Sequence, residues 1–91
     1  MSDIQIERDL SQGELEGRGV FQWPVWEKEE SVFPWTYDAT EFCYVVEGEF
    51  RVIPDAGDPV IVTAGDYVTF PAGMSCTWEV LVPIRKHFTF K

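Results

Sequence analysis

The 91-residue chain is 45% hydrophobic and 15% aromatic, which is the make-up of a globular core and not of a disordered tail. Its 7 Lys and Arg against 16 Asp and Glu leave a net charge of −9, spread over both halves, so a phosphate-neutralising surface, and with it a nucleic-acid partner, is close to excluded. No apolar run approaches the roughly 20 residues of a membrane helix, Met1 to Glu7 is polar where a signal peptide is basic and then apolar, and two cysteines outside any C-x-x-C pair are expected as reduced thiols, so a cytoplasmic location without membrane contact is expected.

Taken in chain order, Ile4-Gln5-Ile6 reads as an edge strand, and Asp9 to Gln12 supports at most a short helical turn before Gly13, Gly17 and Gly19. Strand candidates then follow at Val20–Trp23, Glu30–Tyr37, Glu41–Glu47, Glu49–Ile53, Val60–Thr63, Tyr67–Phe70, Ser75–Leu81 and Ile84–Phe90. Turn chemistry separates several of them: Glu47-Gly48-Glu49, Pro54 to Pro59, Ala64-Gly65-Asp66 and Pro71-Ala72-Gly73. Eight short strands with few helical signals predict an all-β sandwich or small barrel over residues 1–91, with its core about 19–90 and no second domain.

Neighbouring side chains of a strand point to opposite faces, so the alternation sorts them. Glu41, Cys43 and Val45 share one face, opposite Phe42, Tyr44 and Val46. Cys76, Trp78 and Val80 share another, and in the last strand Arg85, His87 and Thr89 lie opposite Lys86, Phe88 and Phe90.

Two segments carry a spacing pattern. Glu41 is followed by six residues and Gly48, and Gly65 by five residues, then Pro71-Ala72-Gly73, two residues and Cys76. With Trp-Pro-x-Trp-Glu-Lys-Glu at Trp23 to Glu29 and Pro-x-Arg-Lys-His-Phe at Pro83 to Phe88, the stretch from Val20 to Phe90 resembles the short cupins grouped with the ureidoglycine aminohydrolase and ethanolamine-utilisation cupins. The resemblance implies an antiparallel β-barrel of the jelly-roll, or double-stranded β-helix, type. It also implies pairing into a homodimer through strands near the amino terminus. Cupin metals are normally held by two His of a His-x-His, the motif Glu and a second-motif His. Here Trp35 and Tyr37 stand at the His-x-His positions and Cys76 at the last, leaving Glu41 as the one standard ligand.

On that resemblance Glu41 faces the barrel lumen, where burial makes it a candidate general acid or base; the plainer reading is a carboxylate satisfied by Tyr37 or Thr hydroxyls. Trp35, Tyr37 and Trp78 would line the pocket and suit a flat ring or sugar face, unless they simply plug a lumen too small for a ligand. Trp23 and Trp26 are expected outside the barrel or at a dimer interface. Cys43 and Cys76 are candidate ligand contacts, metal thiolates or plain core residues. His87 is the natural proton shuttle by its ordinary pKa, although a lone His is more often structural. Arg85 and Lys86 are the basic candidates for gripping an anionic ligand, against the preferred reading of two surface charges at a chain end.

Three functions follow. The leading one is a metal-free cupin that binds a small polar organic ligand and transfers protons in an isomerisation or dehydration, with Glu41 as acid or base, Tyr37 as donor and His87 as shuttle. The second is an enzyme holding a divalent metal through Glu41 and Cys76. The third is a non-catalytic dimeric module with a filled barrel. There is no P-loop, G-x-G-x-x-G, H-E-x-x-H or nucleophile elbow.

Overall fold

Alternating β-branched and aromatic residues drive more than half of the chain into antiparallel strands. The computed structural model of the chain describes residues 4–91. Its strands are β1 (Gln5–Glu7), β2 (Val25–Lys28), β3 (Ser31–Thr36), β4 (Glu41–Pro54), β5 (Val60–Thr63), β6 (Tyr67–Phe70) and β7 (Ser75–Phe90). They are hydrogen-bonded in the order β1-β6-β4-β7-β2, with β3 also on β7 and β5 also on β4. Residues 1–3 of the polar start lie outside the described residues. No helix among those residues is long and apolar enough to cross a membrane.

The expected antiparallel all-β architecture is what forms, but its two central strands are longer than the turn signals suggest. Glu41–Glu47 and Glu49–Ile53 are one strand, β4, and Ser75–Leu81 and Ile84–Phe90 are another, β7. The two apparent breaks, at Gly48 and at Val82-Pro83, face each other. The β4–β7 register shifts between Val45 and Phe50, where β-bulges bend both strands in place of turns. Gly48 has φ +97°, and a Cβ there would sit 2.8 Å from the Val82 carbonyl oxygen and closer still to that of Pro83, so the glycine is required by close backbone approach.

Two other expectations need correction. Val20–Gln22 is a 3₁₀ turn and not a strand, while the strand lies just beyond Pro24, at β2. A helix, α1 (Gln12–Gly17), continues through Gly13. Its start is fixed by a capping box in which Ser11 and Glu14 satisfy each other's backbone amides, and buried Leu15 anchors it in a small cluster with Val20 and Tyr67.

The main core lies between the bent strands and holds Phe50, Val52, Val62, Val68 and Phe70, all inaccessible to solvent. Pro34 sits within β3, which pairs only with β7, so its missing N–H disturbs no second neighbour. Four inward-facing segments of β2, β3, β4 and β7 rise from this core and enclose the cavity described next.

Candidate functional site

A cavity of about 230 Å³ opens at one end of the sheet. That is smaller than the roughly 300–1,000 Å³ of drug-sized sites, so an occupant would be a small molecule. Its walls follow the two-residue period of the strands: Trp26 from β2, Phe33 and Trp35 from β3 with Tyr37 just beyond, Glu41 at the start of β4, and Trp78, Lys86, Phe88 and Phe90 from β7. Trp35 and Phe90, 47% and 45% exposed, stand at the mouth, whereas Tyr37, Glu41, Trp78 and Lys86 are all buried.

The walls are held in place by stacking. Trp78 lies flat on Phe50, with ring centroids 4.2 Å apart and planes 9° from parallel, and Phe33 stacks with it at 6.0 Å. Tyr37 stacks on Phe70 at 5.2 Å. Such contacts fix ring orientation beyond simple area burial.

At the buried end, Lys86 Nζ donates to Glu41 Oε2 at 2.6 Å. The ammonium also lies 4.8 Å from the Trp26 ring centroid and 4.6 Å from that of Trp78, a doubly cation–π position. Glu41 therefore lies in the lumen, where the Lys86 ammonium is its close partner and the Tyr37 hydroxyl lies nearby. The Tyr37 hydroxyl is buried without a hydrogen-bond partner. Burial first, and the nearby Glu41 charge second, push its ionisation far above the ordinary tyrosine range, so it remains a hydrogen-bond donor. The Trp78 indole N–H is likewise buried and unpartnered.

The remaining expected residues lie elsewhere. Cys43 is inward-facing but fully buried beneath the cavity, and burial raises its pKa to about 12. Cys76 is buried with Sγ 3.6 Å from the Trp35 carbonyl oxygen, and burial, reinforced by Asp55, lifts its pKa to about 11. Neither lines the cavity, and both are held as neutral thiols at neutral pH. His87 is on the opposite face of β7, with Nδ1 3.1 Å from the Trp23 carbonyl oxygen and its ring edge-to-face with Phe21. Arg85 is exposed on that same outer face and paired with Glu27 at 2.8 Å. These two side chains do not join the Glu41 constellation.

Lys86 and Trp26, expected at the surface and outside the barrel, both line the cavity. The signal for Lys86 was its phase: it shares a strand face with Phe88 and Phe90, and two aromatic rings mark that face as inward. For Trp26, register decides, since it lies directly across from Lys86 in the β2–β7 ladder. Trp23, by contrast, packs away from the cavity, against Tyr67.

The donors do not fit a resident metal ion. Glu41 is already engaged by an ammonium, Cys76 is held as a neutral thiol outside the cavity, and among the described residues no group of three or more His, Cys, Asp and Glu side chains converges.

The family model described as the EutQ-like cupin domain matches residues 15–88. Among curated proteins, the chain is 31% identical over 85 residues to acetate kinase EutQ of Salmonella typhimurium, covering 93% of this chain and 33% of that protein. It thus spans about a third of that relative's length. Among solved structures, a DUF861 family protein from Thermotoga maritima superimposes with a TM-score of 0.93 at 42% identity, covering 98% of this chain and 100% of that one. An ethanolamine utilization protein Q from Salmonella typhimurium gives 0.66 at 29% identity, over 72% of this chain and 53% of that one.

Proposed function

The chain belongs to the EutQ-like cupin family, and from that premise we propose that it binds a small organic molecule in the aromatic cavity and exchanges protons with it through Glu41. The observation that carries this reading is the Glu41–Lys86 ion pair at 2.6 Å on the floor of an otherwise aromatic cavity. A carboxylate in such surroundings is the group that acid–base catalysis needs, and Lys86 sets the charge it works against. Flat walls at Trp78, Phe33 and Tyr37 suit a planar or ring-shaped body. The unpartnered Tyr37 hydroxyl suits an acceptor oxygen on the ligand.

An open lumen with buried polar groups left unpaired favours this over a barrel plugged by its own side chains. The acetate kinase activity in one relative's name is not carried over, because the chain spans only a third of that protein.

Three tryptophans line the cavity, so intrinsic fluorescence reports occupancy. Titration with benzyl alcohol, benzoate, benzamide and benzaldehyde should give a saturable change for at least one compound, weakened at least ten-fold by Glu41→Gln or Lys86→Met. No saturable change with any of the four would overturn the proposal.

A further inference from the structure

We propose that Lys86 is a carbonyl-capturing amine: the ligand class is a small aldehyde or ketone, which condenses with Nζ to a Schiff base while Glu41 carries the protons. The inference rests on the binding reading above and deepens it by naming the ligand class and the covalent step.

Four observations converge on it. Lys86 is 5% exposed, whereas Lys28 and Lys91 are exposed at the surface. Lys86 lines the aromatic cavity, with its Nζ against the Trp26 and Trp78 rings. A carboxylate oxygen waits 2.6 Å from it, in direct line to accept its proton. Tyr37 lines the same cavity with a buried hydroxyl close to Glu41. Buried ion pairs are often replaceable by apolar residues without loss of stability, so packing alone is a weak reason to place a lysine here. A lysine desolvated in an apolar pocket is the usual setting for Schiff-base chemistry.

The step balances without any added reactant. Glu41 takes a proton from the Lys86 ammonium, leaving a neutral amine and a carboxylic acid. The nitrogen lone pair attacks the carbonyl carbon, the C–N bond forms, and the C=O π electrons move to oxygen. That oxygen accepts the proton from Glu41, which then takes back one from nitrogen to give the neutral carbinolamine. Glu41 returns this proton to the hydroxyl, the C–O bond breaks, water leaves, and the nitrogen lone pair closes the C=N bond. The resulting iminium restores the original charge opposite the Glu41 carboxylate, and the Tyr37 hydroxyl is placed to donate to the carbonyl oxygen as it gains charge.

The test incubates the full chain with benzaldehyde, reduces with cyanoborohydride and maps the modified peptides. Lys86 should be trapped at least ten-fold faster than Lys28, Lys91 or the amino terminus. Glu41→Gln should slow trapping at least ten-fold. Lys86→Arg, which keeps a cation against Glu41 but cannot condense, should lose the adduct, and the parent chain's fluorescence response to benzyl alcohol, which cannot condense, reports binding apart from the covalent step. Binding of benzyl alcohol with benzaldehyde adducts spread evenly over the three lysines would overturn the Schiff-base step and leave the binding reading standing. No response to any of the four compounds of the fluorescence panel, together with no preference for Lys86, would overturn both. Unchanged trapping in Glu41→Gln would remove Glu41 from the proton path.

Discussion

Arg85 and Lys86 are adjacent on β7 and each forms an ion pair with a glutamate, yet the two pairs live in different solvents. Arg85 reaches outward to Glu27 at 2.8 Å with both side chains about half exposed, and Lys86 reaches inward to Glu41 at 2.6 Å with both side chains some 5% exposed. A strand's two-residue alternation is enough to make this difference. The lesson is that charge count and residue type say little about an ion pair until its face is known. In water, screening and side-chain entropy cancel most of the attraction; in an aromatic cavity, neither partner can be removed without stranding the other.

The largest expected effect tests that contrast directly. Lys86→Met leaves Glu41 as an uncompensated buried charge and should cost about 3–5 kcal/mol in denaturant unfolding at pH 7. The double replacement Glu41→Leu, Lys86→Met removes both charges and should return to within about 1 kcal/mol of the parent or exceed it. A cost below about 1 kcal/mol for the single change would mean that the inner pair is as wet as the outer one.

How far the sequence foretold this division depends on which physics set each feature. The strands at Val60–Thr63 and Tyr67–Phe70 were legible to the residue, because turn chemistry at Pro54–Pro59, Gly65 and Pro71–Gly73 bounds them on both sides. Gly48 and Pro83 misled for the same reason: they look like turn residues, but they sit across from each other in a bulged ladder, a pairing that only the tertiary fold supplies. Glu41, Trp35 and Tyr37 were reachable from motif spacing, and Trp78 from its alternation with Cys76. Lys86 needed a decision about which face of β7 is inward, and a strand carrying Arg, Lys and His among its aromatic rings does not announce one. Trp26 needed the β2–β7 register, which no local signal contains.

The inner face should also set the alkaline limit of the fold. Burial raises Cys43 from an ordinary 9 to about 12 and Cys76 to about 11, and it raises Tyr37 further. Between pH 9 and 11 the unfolded chain therefore releases thiol protons that the folded chain keeps. The stability these groups contribute is complete below pH 9 and is lost as pH rises through that window, at about 1.4 kcal/mol per pH unit for each thiol. Urea unfolding at pH 8 and pH 10 should differ by about 3 kcal/mol, and Cys43→Val should remove close to half of the difference. An unchanged stability at pH 10 would mean that the thiols are open to solvent.

The smallest effect belongs to the outer pair, and its smallness is the sharper half of the comparison. Arg85 is held charged by Glu27, with Glu47 adding to it, but water surrounds all three groups. Arg85→Met should leave the urea midpoint unchanged within error. At 1 M NaCl, where the screening length falls to about 3 Å, any residual difference from the parent should vanish. Lys86→Met should remain as destabilised in 1 M salt as in dilute buffer, because burial of Glu41 keeps bulk salt from screening it. A Lys86→Met deficit that salt relieves would place mobile ions, and hence water, around Glu41, and the distinction between the two faces of β7 would then be one of degree.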